Sequence, residues 1–350
     1  MTLIRRYGKS FTDIADIKGH FFSENENLVR NNYKMAEIYK SQPRRERCKN
    51  CDNILNDNVY FTKQKIDYYL CSNCNHLNGA YEDTEDFASA IYVEEVTNYS
   101  VTYTNESLQK YIERMDRVYK PKAEFLIHCL DNLGIEYRNK SFCDLGAGSG
   151  YFIYALNKLF GINKIKGYEV STKQVELGNI MLQSEFIYNI NISGLQSVID
   201  NSTSNIFSMI GVLEHLTNPR DILSSLRVNP NVEFLYLSLP LFSYSVFFEL
   251  VNQDVFNRHL SGGHTHLYTM ESIEYLCNEF NFDIVGQWQF GTDFMDLYRH
   301  MVVRMHELNV SSEAINLFGS KFTEVLDDLQ KTADKQHFSS EIHLLLQKRL

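Results

Sequence analysis

The chain has 350 residues, 44% hydrophobic and 22% charged, which excludes a mainly disordered polypeptide and allows two or three folded units. Lys and Arg number 34 against 44 Asp and Glu, and the net charge of −10 argues against broad capture of a phosphate backbone. Its apolar runs, such as residues 234–242, are too short to cross a bilayer, and no apolar stretch follows the basic N-terminus; a cytoplasmic protein without a membrane span is expected.

Residues 1–45 read as an N-terminal helical arm, because apolar side chains recur at helical spacing through residues 27–39 until Pro43 stops the pattern. Residues 46–82 carry Cys48, Cys51, Cys71 and Cys74 as two C-x-x-C pairs separated by nineteen residues. Zn²⁺ favours a tetrahedron of thiolates, each pair supplies two from one tight knuckle, and the spacer fits a zinc ribbon. Two disulfides are the competing reading, which a chain without a secretory signal disfavours. Four thiolates close the shell, so His76 is not needed as a ligand and the role is structural. Arg44, Arg45, Arg47 and Lys49 read as a solvated flank or as ion-pair partners rather than a nucleic-acid surface. Short strands are expected at residues 58–62 and 67–70. Residues 83–138 form a helical connector or cap, with Tyr111, Met115 and Tyr119 on related faces and Pro121 interrupting. The 22 Tyr and 23 Phe suit either a large core or Tyr-rich walls around an organic ligand.

From residue 139 to 292 strands and helices alternate. Strands are expected at 141–145, 164–170, 185–190, 206–210, 232–239 and 282–290, with helices at 151–160, 172–184 and 270–280. That alternation predicts an α/β protein with a doubly wound, mostly parallel sheet covered on both faces. Residues 293–350 read as an amphipathic helical extension, a cap or a homodimer surface.

Between the strand at 141–145 and its helix lies Asp144-Leu145-Gly146-Ala147-Gly148-Ser149-Gly150. Glycines at this place let backbone approach a ligand at the carboxyl end of a sheet. A dinucleotide site needs G-x-G-x-x-G, but residue 151 is Tyr and the spacing is G-x-G-x-G. Glu169 ends the next strand, where a carboxylate can accept from ribose hydroxyls.

With these features in order the chain resembles the class I S-adenosylmethionine-dependent methyltransferases, a Rossmann-like fold. The resemblance implies that Gly146, Gly148 and Gly150 shape the cofactor loop, that Asp144 sets the amino-acid end, and that Glu169 binds the ribose. Gly211-Val-Leu-Glu-His-Leu looks like the family's fourth-strand motif, placing Leu213 against the cofactor and opening the next helix with Glu214 and His215. Leu237-Ser-Leu-Pro240 is similar to the fifth-strand end, while Asn205 stands where many relatives have Asp.

The order of zinc ribbon, helical connector and methyltransferase domain also resembles sugar C-methyltransferases and related enzymes from surface-glycan clusters. Their Tyr-x-Glu-His pattern ends on a His that matches His266; Gly263 and Thr265 replace its Tyr and Glu, so C- and O-methylation both stay open. Methyl transfer is an in-line displacement that needs the acceptor's proton removed, and His is the natural base near neutral pH. His266 is therefore expected as general base, supported by His264 and Glu214, with His215, His259 and Tyr268 contacting a small-molecule acceptor such as a sugar nucleotide or glycan. An RNA methyltransferase and a binding protein that has lost catalysis are the alternatives.

Overall fold

The computed structural model describes residues 3–10, 24–92, 107–261 and 263–349. Residues 11–23 of the expected arm and 93–106 of the expected connector lie outside the described residues. Twelve strands occur among the described residues: β1 (Ile4–Tyr7), β2 (Phe61–Lys63), β3 (Ile66–Leu70), β4 (Leu77–Gly79), β5 (Phe142–Leu145), β6 (Ile165–Glu169), β7 (Ile187–Asn189), β8 (Ile206–Ile210), β9 (Phe234–Pro240), β10 (His266–Leu267), β11 (Phe282–Phe290) and β12 (Glu341–Lys348). Eight form one sheet in the order β1-β11-β12-β9-β8-β5-β6-β7.

Pairing in that sheet is parallel except around β12, which runs antiparallel to both β9 and β11. From β5 the chain winds outward to β7, then returns through β8 to β9, so helices cover both faces. One core lies beneath the helices Lys120–Asn132 and Tyr151–Phe160, with Phe125, Phe152 and Trp288 fully buried; a second lies beneath Pro219–Val228 and Met270–Glu279, with Leu223 and Leu276. The doubly wound α/β fold is the one the sequence pattern predicts.

Two ends of the chain depart from the expected helices. Ile4–Tyr7 is a strand at the sheet edge, held by Arg6 over the Trp288 ring at 4.0 Å and by Trp288 Nε1 donating to the Gly8 carbonyl. Residues 341–348 are likewise not part of a helical extension. Ile342 to Leu346 are buried on both faces inside the sheet, and a short apolar run cannot be told from a buried helix by periodicity alone. Pro121 interrupts nothing. It sits in the first turn of Lys120–Asn132, where a missing N–H is harmless, directly after a π-helical stretch at Met115–Tyr119. Among the described residues no helix is long and apolar enough to cross a membrane.

The remaining strands form an antiparallel sheet in the order β10-β4-β3-β2. Three belong to the cysteine module. The fourth, His266–Leu267, comes from the histidine-dense segment and pairs with Asn78 and Leu77. This module is thus built into the body of the protein. A buried charge cluster strengthens the seam: Arg45 and Lys49 both pair with Asp83, which also accepts from the Thr265 hydroxyl. Burial alone would raise the Asp83 carboxyl, but Lys49 and Arg45 hold it below its ordinary range.

Candidate functional site

All four cysteines of the paired motif are buried, with Cys48 and Cys74 sulfurs 3.7 Å apart and those of Cys51 and Cys71 3.5 Å apart. A disulfide would bring sulfurs to about 2 Å. Thiolates bound at about 2.3 Å to one tetrahedral ion stand roughly 3.8 Å from each other, so the donor set fits such an ion. Asn78 and Asn50 each direct a side-chain amide at a cysteine sulfur, at 3.5 Å.

A cavity of about 340 Å³ opens at the carboxyl ends of β5, β6 and β8. Asp144, Gly146, Gly148 and Glu169 line it, as expected of cofactor residues. A Cβ on Gly146 would stand 2.4 Å from Val212, and Gly148 has φ +54°, so side chains are disfavoured at both positions. Gly150 and Leu213 do not line the cavity. Gly150 starts the helix Tyr151–Phe160 in a left-handed conformation against Ile187, while Leu213 is buried in the core.

Glu169 is held by three backbone amides. One oxygen accepts from Val170 and Ser171 at 2.8 and 2.9 Å, the other from Gly148 at 2.9 Å. A carboxylate offers about four acceptor sites, which leaves about one for a ligand hydroxyl. Asp144 is fully enclosed, accepts from the Ser208 hydroxyl at 2.6 Å, and is pushed up to about 7 by burial.

Sequence reasoning did not single out Tyr151, nor place Tyr119 in the site. Both line the cavity, their rings stacked at 5.0 Å, and Tyr111 stacks on Tyr151 at 4.3 Å. The Tyr111 hydroxyl donates to the Ser149 carbonyl at 2.9 Å, bracing the glycine loop from the helical segment. The helical spacing of Tyr111, Met115 and Tyr119 was the available signal, and the Tyr-rich wall is the ligand-side alternative left open by composition.

On the other side of the loop, His215 lines the cavity, but His266, His264, His259, Tyr268 and Glu214 do not. His266 is buried, donates from Nε2 to the Glu214 carbonyl at 2.9 Å, and accepts at Nδ1 from His76 Nε2 at 2.8 Å. Both nitrogens are therefore engaged inside the protein, away from an acceptor. Tyr268 is packed against the His76 ring, and His259 hydrogen-bonds the Leu241 carbonyl. The pairing of β10 with β4 carries this segment under the cysteine module instead of leaving it as an open loop. His264 stacks on His215 with ring centres 5.1 Å apart. Glu214 and His215 form a 3-10 turn, and burial pushes the Glu214 carboxyl up to about 8.

A parallel sheet with a glycine loop and a carboxylate at the next strand end defines an α/β enzyme that binds an adenosine-containing cofactor. The chain belongs to the methyltransferase-domain family, which matches residues 108–287, and is a S-adenosylmethionine-dependent methyltransferase. No curated protein matches it in sequence. Among solved structures it is similar to the methyltransferase domain of bacterial CtHen1-C (14% identity, 66% of this chain and 98% of that one, TM-score 0.42). It is also similar to the magnesium protoporphyrin IX methyltransferase of Synechocystis PCC 6803 with bound SAH (12%, 75% and 98%, TM-score 0.47). A third is the geranyl diphosphate C-methyltransferase of Streptomyces coelicolor A3(2) (13%, 70% and 85%, TM-score 0.42).

Proposed function

We propose that the protein methylates a small polar acceptor, a nucleotide-linked sugar or surface glycan, at the end of the cavity bounded by His215. The observation that carries this reading is sidedness. Glu169 ends β6 and His215 lies beyond β8, on opposite sides of the glycine loop that follows β5. The ribose belongs with Glu169, and the acceptor with His215.

The bound cofactor supplies a methyl group on a sulfonium. Asp144 would meet its α-ammonium group, and the glycine loop would let it lie close to backbone. The acceptor must lose a proton as it takes the methyl group, and His215, with Glu214 and His264 behind it, is the titratable wall at that end. His266 is a positioning residue here: through the Glu214 carbonyl it fixes the turn that aims His215. Cys48, Cys51, Cys71 and Cys74 would hold Zn²⁺, which would brace the module that supports this segment. A net charge of −10 favours a small acceptor over RNA.

The test is transfer of isotope-labelled methyl from S-adenosylmethionine to a panel of nucleotide sugars, with RNA as comparison and products identified by mass spectrometry. Label entering a sugar is the expected result. Label confined to RNA would overturn the acceptor assignment.

A further inference from the structure

We propose that Glu214, His215 and His264 form a divalent-cation site in the wall of the cofactor cavity. One carboxylate and two imidazoles suit Mn²⁺, Fe²⁺, Co²⁺ or Zn²⁺ better than Mg²⁺ or Ca²⁺.

The ligand atoms of the three residues all lie within 4.8 Å of one another. Glu214 Oε1 stands 3.9 Å from His215 Nε2. Ligands on one such ion are roughly 3–3.5 Å apart, so a small side-chain adjustment closes the set. An independent feature points the same way: the Glu214 carboxyl is 4% exposed, and its Oε2 has no hydrogen-bond partner. A buried carboxyl oxygen left unsatisfied is costly unless something charged or polar meets it.

His264 is arranged as a metal ligand is. His264 donates its Nδ1 hydrogen to the His259 carbonyl at 2.8 Å, so its lone pair is on Nε2. His215 also interacts with the Gly263 backbone, and its Nε2 is the nitrogen that faces Glu214. Histidines that bind metals commonly spend their second nitrogen on a backbone carbonyl in this way, which fixes tautomer and ring orientation. Three protein ligands leave coordination positions open, and His215 brings them to the cavity. Resting on the methyl-transfer reading, the cation would hold the acceptor oxygen at that wall and lower the pKa of its hydroxyl, the proton leaving to solvent through the cavity because the ion would occupy the His215 lone pair.

Titration of Mn²⁺ into the zinc-loaded protein, followed by electron paramagnetic resonance and calorimetry, tests the site without activity. One Mn²⁺ should bind per chain, and E214Q and H264A, each removing a ligand, should each weaken it by at least about tenfold, the loss that even an outer-shell partner causes. Affinity for S-adenosylhomocysteine, measured without Mn²⁺, should stay near wild type in both variants, which also reports that they fold. Absence of saturable Mn²⁺ binding below about 1 mM, or binding that both variants retain, overturns the proposal. Mn²⁺ binding with no methyl transfer to any acceptor would leave the cation site standing and remove the catalytic reading.

Discussion

His76 Nε2 lies 2.8 Å from His266 Nδ1, joining the cysteine module to the turn that carries His215. Because His266 donates its only hydrogen to the Glu214 carbonyl, the proton between the two rings belongs to His76. Both rings are fully enclosed, and burial together with the positive charges of Lys49 and Arg45 holds them well below the ordinary imidazole range, hence neutral. This contact makes a strand-end residue of the cysteine module a structural neighbour of the cavity wall.

Replacing His76 by Ala strands a buried acceptor on His266 and should destabilise the protein by about 1–3 kcal/mol. Urea unfolding gives that number. If the acceptor lies at the His215 end as proposed, turnover should fall further than affinity for S-adenosylhomocysteine, because the displaced turn carries that wall.

Removing metal from the four cysteines should lower the melting temperature sharply, since binding free energy at a structural site is folding free energy. Metal analysis of the folded protein should return a full equivalent of zinc at these residues. Well-folded protein with substantially less than an equivalent would contradict the assignment.

Glu169→Gln keeps one amide-bound oxygen but loses the charge. Charge-assisted hydrogen bonds contribute about 1.5–3 kcal/mol, so affinity for S-adenosylhomocysteine should drop roughly tenfold to a hundredfold. Calorimetry with unchanged affinity would place the ribose elsewhere.

Asp144 gives the cofactor site a pH dependence. Burial pushes its carboxyl up to about 7. A cationic ligand binds its ionised form, so S-adenosylmethionine affinity should rise as pH climbs through about 7 and level off above it. Below that value, affinity should fall by up to about tenfold per pH unit. In Asp144→Asn the profile should be flat across this window.

His215→Ala should leave S-adenosylhomocysteine binding within a few-fold of wild type yet cost about 10²–10⁴ in turnover. Single-turnover kinetics separate the two. A variant with full turnover would move the acceptor away from β8.

Local chemistry was readable from the sequence; long-range pairing was not. The Gly146–Gly148 loop, Glu169 and the cysteine pairs announce themselves because their backbone or ligand requirements are met within a few residues. His266 misled for the opposite reason. Its burial depends on β10 pairing with β4, far earlier in the chain, and a cluster of histidines looks equally polar whether it lines a loop or a seam. Residues 341–348 hid likewise: Leu344, Leu345 and Leu346 form a strand only because β9 and β11 stand on either side to accept them. Tyr119 and Tyr151 meet where one helical segment packs against the first turn of another, which helical spacing suggests and cannot locate.

The place of β12 has a consequence for biosynthesis. An interior strand of the sheet is made after both its neighbours, with two long helices, Asp293–Glu307 and Ser312–Lys335, translated in between. Until residues 341–348 emerge, β9 and β11 each expose an unpaired edge. Such edges recruit foreign strands. The nascent chain therefore passes through an interval of aggregation risk that ends only when β12 slots in, and chaperone demand should concentrate there.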